Sequence, residues 1–424
     1  MTNAEWQTRK DKVIAQGMGN LAPIFVQSAK NSHITDIEGE HYIDFASGIA
    51  VTNTGHSHPK IVQAVTEQLT QFSHTCAMVT PYPSMVELAE KLVTLAPGDS
   101  EKKAVFLTTG AEAVENAIKV ARAYTGRSGV IAFRGGFHGR TNMCMGLTGK
   151  VTPYKVGFGP FPNEIFHAPY PNQYHGISEQ QSLAALDDLF SCDIEPNRVA
   201  AIIFEPIQGE GGFYPAPVGW AKAIRQLCDK HGIVMICDEI QTGFARTGTL
   251  FASEQLGFEP DVVTMAKGIS GGFPLSAVVG KTKIMDAANA GGLGGTYAGS
   301  PIACTAALQV LQIIEQEDLC QKAVEIGAEF KRQILQLQTV HRCIGDVRQV
   351  GAMIAMELND PVTNEPLSEL TKRLVQACVS RNLIILSCGV KGNVIRFLPA
   401  LTMESHLIEQ GLAIIDQELS QLTD

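Results

Sequence analysis

The chain has 424 residues, 45% hydrophobic and 18% charged, which suits a globular protein with a sizeable apolar core. Its 33 basic and 43 acidic residues leave a formal charge of -10, which disfavours nucleic acid as a partner, and no basic run marks a membrane or DNA patch. The start lacks a signal-peptide core, no apolar run approaches the ~18 residues of a spanning helix, and ten scattered cysteines without a C-x-x-C pair fit reduced thiols in a cytoplasm.

In chain order, HITDIEGEHYIDFA (33–46) reads as a hairpin. In GHSHP (55–59), His56 and His58 lie two apart with no cysteine or carboxylate beside them, so the loop reads as structural and no metal is expected. SMVELAEKLVTL (84–95) opens with Ser84 and Glu87 at capping-box spacing and predicts a helix start. AVFL (104–107) predicts a strand. The stretch after it, TTGAEAVENAIKVARAYTG, predicts a helix with Val114, Ala117, Ile118 and Ala121 on one face. GVIAF (129–133), VAAIIFE (199–205) and IVMIC (233–237) read as buried strands. Between the last two, Trp220, Ile224, Leu227 and Cys228 fall at helical spacing, and Gly232 ends that helix.

This alternation argues for a mostly parallel sheet covered on both faces. From about Leu311, amphipathic patterns flank strands at 351–358 and 393–398, as in a smaller α+β domain. The expected organisation is an N-terminal segment (1–55) joining the small domain, a large domain (56–310) and a C-terminal small domain (311–424).

One lysine sits in unusual company. In DVVTMAKGISGGFPLSAVVG (261–280), Lys267 stands between an apolar run and a glycine-rich turn. GKT at 280–282 fails as a P-loop, because the motif's first glycine would fall on Leu275, and no G-x-G-x-x-G follows a strand. GISGG (268–272) matches the G-x-S-x-G elbow, so a serine hydrolase using Ser270, with His341 or His406, stays open. That elbow needs a helix after its turn, whereas FPLSAVVG reads as a strand.

Asp238 lies just past an apolar strand, and Lys267 follows 29 residues later, just past another. A βαβ-like connection would bring both to the carboxyl rim of the sheet, where ligands bind in open parallel sheets. They could form an ion pair, or address two ends of one cofactor. Pyridoxal phosphate needs a lysine amine for its Schiff base and an acid opposite the pyridine nitrogen. At ~4 Å and an effective dielectric of ~20, such a carboxylate is worth about 4 kcal/mol, roughly three pKa units. Gly110 and Ala111, at a helix N-terminus, offer free N–H groups to a phosphate.

Taken together, DEIQTGFARTG (238–248), MAKGISGGFPLSAVVG (265–280), TTGAEAVENAIKVAR (108–122) and FHGRT (137–141) resemble the class III aminotransferases, from about residue 20 to near the end. These are pyridoxal-phosphate enzymes of the aspartate-aminotransferase-like α/β fold (fold type I), with a large domain around a mostly parallel sheet and a smaller α+β domain. GKVTPYKVGFGPFP (149–162), GGLGGTYAGSP (291–301) and SCGVKGNVIRFLPAL (387–401) are most similar to bacterial 4-aminobutyrate aminotransferases.

The resemblance implies that Lys267 forms the Schiff base and then serves as acid–base, with a lowered pKa, while Asp238 holds the pyridinium. It implies Gln241 at the ring hydroxyl, Phe137 and Ile240 on the ring faces, and His138 among the cofactor contacts. Thr296 of the partner subunit would reach the phosphate, so a homodimer or homotetramer with shared sites is expected. Arg140 would take the distal carboxylate and Arg396 the α-carboxylate, with Glu210 pairing Arg396 while an ω-amino substrate is bound. Ile49 would wall the substrate pocket, and Glu205 would support the site from behind.

The implied reaction is ping-pong transfer from an ω-amino acid, foremost 4-aminobutyrate, to 2-oxoglutarate, giving succinate semialdehyde and glutamate. The alternatives are 5-aminovalerate and (acetyl)ornithine, since one methylene is worth only ~1–3 kcal/mol in a pocket. Ala245 and Ala400 depart from the family's usual glycine and proline without touching a proposed role.

Overall fold

The computed structural model describes residues 1–423; Asp424, the last residue of the expected small domain, lies outside the described residues. The N-terminal part forms an antiparallel meander of β1 (Val26–Lys30), β2 (His33–Asp36) and β3 (His41–Asp44). Asp36 makes the expected hairpin turn, its Oδ1 accepting from the Glu38 and Glu40 amides at 2.9 and 3.0 Å. In the following loop, His56 pairs with Asp44 at 2.8 Å and His58 with Glu317 at 3.1 Å. The two imidazoles thus fasten the loop to different elements. The helix Pro83–Leu95 begins at a proline, and Tyr82 precedes it without a side-chain cap. Ser84 is therefore inside the helix and not its cap: proline's fixed φ and missing N–H suit it to the first helical position.

The central sheet collects β4 (Lys102–Leu107), β5 (Gly129–Phe133), β6 (Ile165–Ala168) and β7 (Val199–Phe204). A short ribbon follows, β8 (Ile207–Gln208) and β9 (Tyr214–Pro215), and then β10 (Val234–Asp238), β11 (Val262–Met265) and β12 (Ser276–Lys281) rejoin the sheet. Its order is β4-β12-β11-β10-β7-β5-β6. Only β12 runs antiparallel to its neighbours. The link from β11 to β12 is too short for a crossover, so the chain must turn straight back. Strands β5, β7, β10 and β11 are buried along their whole length. Successive residues of β5 feed opposite cores: Val130 and Ala132 pack under the helix Gly110–Thr125, Ile131 and Phe133 under Val218–His231.

The C-terminal part adds β13 (Ile344–Val350), β14 (Met353–Leu358), β15 (Leu383–Ile384), β16 (Leu386–Cys388) and β17 (Val394–Phe397). Four of these form an antiparallel sheet, β13-β14-β17-β16, while β15 pairs in parallel with β3 near the other end of the chain. The boundary expected at 310/311 falls inside a continuous helix, Pro301–Gln316. That helix is followed by Glu317 and Asp318, the latter at φ 50°, and then by the helix Leu319–Val340.

A buried guanidinium ties these parts together. Arg246 donates to the carbonyls of Ala352 (3.1 Å) and Pro399 (2.6 Å) and to Oδ1 of Asn53 (2.6 Å). Its removal would strand three buried acceptors, each at ~1–3 kcal/mol. Arg246→Leu is therefore expected to lower unfolding free energy in chemical denaturation by at least about 3 kcal/mol.

Candidate active site

A cavity of about 350 Å³ opens at the carboxyl ends of β10 and β11. Asp238, Lys267, Glu210, Phe137, His138, Ile240, Gln241, Gly110 and Ala111 all line it, as does Glu205. The pairing of β10 with β11 does the gathering. Asp238 ends β10 opposite Thr264, and Lys267 opens the turn two residues beyond β11. The connection between them is not the expected βαβ unit, because its one helical piece is the 3₁₀ turn Ala252–Leu256.

Asp238 is held by three donors. His138 Nδ1 lies 2.7 Å from Oδ2, while Thr264 Oγ1 and the Ile240 amide reach Oδ1 at 2.9 and 3.2 Å. Burial pushes the His138 pKa down, but the hydrogen bond and charge of Asp238 outweigh it and the net shift is upward. Glu205 accepts from the amides of Phe137 (2.9 Å) and Gly209 (3.0 Å), so it shapes the cavity wall from beneath. Burial pushes its carboxyl up to about 7. A Cβ at Gly209 would come within 2.0 Å of Gln241 Oε1, so any larger residue there would displace the Gln241 amide.

Burial in the cavity pushes the Lys267 amine down to about 8, against the pull of the Glu210 carboxylate. Glu210 itself is lowered: burial raises it, but the adjacent Arg396 prevails. The two form an ion pair with side chains 13% and 6% exposed, so little water competes for either charge. Tyr154, which lies in the stretch GKVTPYKVGFGPFP but was given no role there, donates to Glu210 at 3.0 Å and packs on Phe137 with ring centroids 4.8 Å apart. Arg140 is exposed and does not line the cavity; its guanidinium lies 5.6 Å from the Tyr154 ring centre.

Arg396 does not line the cavity either, meeting it through Glu210, and two further expected residues stand apart within the single chain. Ile49 is 40% exposed and off the cavity, which Val51 lines instead; Thr296 is exposed, with no hydrogen bond among the described residues. Ser270 is buried, and its hydroxyl donates to the Phe273 carbonyl. The segment after it returns as β12 and not as a helix, so the hydrolase elbow is absent and that alternative is withdrawn.

Pyridoxal phosphate fits these residues. The floor offers an amine and a fixed carboxylate, and Gln241 Oε1 is buried with no hydrogen-bond partner among the described residues. At one end lies the first turn of the helix Gly110–Thr125, where a helix supplies no carbonyl partners to its amides. Thr109 and Glu112 form a capping box that holds this turn open to the cavity.

Comparison with known proteins agrees with this geometry. The fold superposes over its full length on an (S)-enantioselective omega-transaminase from Thermomicrobium roseum, with a TM-score of 0.91, 30% identity and 100% of both chains covered. A Bacillus anthracis aminotransferase superposes at TM-score 0.92 with 29% identity, over 99% of this chain and 98% of that one. Fold and site together thus define a pyridoxal-phosphate-dependent transaminase. More narrowly, residues 13–419 match the class III aminotransferase family, and the chain belongs to it. It is 52% identical to the 5-aminovalerate aminotransferase DavT of Pseudomonas putida, over 99% of both chains. Against the 4-aminobutyrate aminotransferase GabT of Escherichia coli it is 51% identical, over 98% of both.

A lysine that is neutral above about 8 should capture an aldehyde faster as pH rises, then level off. The rate at which cofactor-free protein takes up pyridoxal phosphate, followed by absorbance, is expected to have its midpoint near pH 8. A midpoint near 10.5, the ordinary lysine value, would contradict the assignment.

Proposed function

We propose that the enzyme moves the amino group of an ω-amino acid, foremost 4-aminobutyrate, to 2-oxoglutarate, yielding succinate semialdehyde and glutamate in a ping-pong cycle. The Glu210–Arg396 pair beside the Lys267 cavity carries this reading. An ω-amino acid has no carboxylate next to its amine, whereas glutamate does. A guanidinium neutralised by a movable carboxylate suits the first, and the same guanidinium set free suits the second.

Pyridoxal phosphate, when bound, supplies the aldehyde that carries the amino group and the electron-poor ring that draws electrons from the substrate carbon. Lys267 would anchor it and then, with its amine neutral, move a proton from the substrate carbon to the carbon that receives the amino group. Asp238, fixed by His138 and Thr264, would hold the ring nitrogen's proton, and Gln241 would serve the ring hydroxyl. Phe137 and Ile240, which line the cavity, would cover the ring, and the Gly110 and Ala111 amides would hold the phosphate. Arg140 binds the distal carboxylate.

Thr296 completes a second copy's site in a cytoplasmic homodimer or homotetramer. Its neighbour Tyr297 and the nearby Met78 and Val79 are 66%, 59% and 74% exposed, an apolar surface that a second subunit would cover. We also take 1–55 and the C-terminal part as one small domain against the large one, a division supported by the β3–β15 pairing.

The similarity to a 5-aminovalerate aminotransferase supports a second donor, one methylene longer. The two donors are expected to differ in kcat/KM by ~10–200-fold at most. Lys267→Ala should lose both the visible absorption of the bound cofactor and turnover; a yellow, active variant would refute the proposal. Glu210→Ala is expected to slow the 4-aminobutyrate half-reaction more than the glutamate one in stopped-flow, and equal losses would remove the switch.

A further inference from the structure

We infer that Tyr154 is the latch of the Glu210–Arg396 pair: its hydroxyl holds the Glu210 carboxylate against Arg396 and sets how readily an incoming α-carboxylate displaces it. The inference rests on the switch reading above and adds the residue that governs it.

Among the described residues the Glu210 carboxylate has two side-chain donors, one for each oxygen. Arg396 Nη1 takes Oε1, and the Tyr154 hydroxyl takes Oε2 at 3.0 Å. The backbone of Glu210 is pinned, its carbonyl accepting from the Gly389 amide at 3.0 Å. Any exchange is therefore a swing of the side chain. When that swing occurs, Arg396 gains the substrate's carboxylate in compensation. The Tyr154–Glu210 bond has no such replacement, so its strength opposes the opening.

The phenol is well placed to hold. Its ring packs on Phe137 at 4.8 Å and carries the Arg140 guanidinium 5.6 Å and Lys150 Nζ 5.9 Å from its centre. Burial, and then the Glu210 charge, push its pKa well above the ordinary phenol value, so it stays a donor. The same side chain touches Phe137, which lines the cavity, and Arg140, at the proposed distal-carboxylate position. It thus joins both ends of the substrate site to the switch between them. A hydrogen bond to a charged group is commonly worth about tenfold or more in an equilibrium.

Tyr154→Phe keeps the ring and its contacts and removes only the hydroxyl. Two unreactive probes, titrated calorimetrically into the holoenzyme, separate the states. Glutarate carries a second carboxylate that must displace Glu210, whereas valerate leaves the pair closed. In Tyr154→Phe the ratio of valerate to glutarate dissociation constants is expected to rise about tenfold or more. The KM for glutamate should fall with little change in kcat. A ratio that stays constant, or falls, overturns the latch, since a merely structural residue would weaken both probes alike. Glu210→Ala provides the reference and should raise the same ratio at least as far. If it does and Tyr154→Phe does not, the latch fails and the switch stands. If neither does, both fail. A rise in Tyr154→Phe alone would mean that the hydroxyl acts elsewhere, and this too overturns the inference.

Discussion

A primary amine enclosed by protein is comfortable as a cation only when a carboxylate is committed to it. Around Lys267 the nearby carboxylates are engaged elsewhere: Asp238 with His138 and Thr264, Glu205 with two backbone amides, Glu210 with Arg396 and Tyr154. Lys267 forms no ion pair among the described residues, and burial leaves it near 8. That frustration is useful. A lysine that is easily made neutral can attack a carbonyl and then shuttle a proton, which a tightly paired one cannot.

The surrounding structure keeps those carboxylates in place. Parallel pairing of β10 and β11 sets Asp238 beside Thr264, and the short reversal into β12 brings Lys267 back over the same rim. Glu205, just past the end of β7, carries the loop that supplies Phe137 and the turn that supplies Glu210 through two amide hydrogen bonds. Arg396, from β17 in the antiparallel sheet, reaches the cavity's edge through its ion pair with the lining residue Glu210. In the proposed mechanism, a cation that can be masked or revealed at this junction lets one cavity serve two substrates with different charge beside the amine.

The central elements were legible because buried parallel strands are continuous apolar runs and their helices have one apolar face; GVIAF and the face of Val114, Ala117, Ile118 and Ala121 are direct instances. Local end signals were less reliable. Ser84 and Glu87 had the spacing of a cap, yet Pro83 already occupied the first helical position. The apparent hydrolase elbow at Ser270 failed because a five-residue pattern says nothing of whether a helix or a strand follows it. Tyr154 lay within the family-like stretch GKVTPYKVGFGPFP, but nothing there marked a role for it, since its importance lies in contacts to Phe137, Arg140 and Glu210, up to 56 residues away in the chain.

By itself, the order of residues determined which groups were available and on what local frame: a lysine after an apolar strand, an acid at the end of another, small residues at a helix start. Those follow from periodicity and backbone chemistry within a few turns of chain. Resemblance aside, only the tertiary structure decided that Glu210 and Arg396, 186 residues apart, are paired, and that Lys267 has no counter-ion among the described residues. Charge interactions and desolvation act through space, and they have values only once folding has set the distances and removed the water.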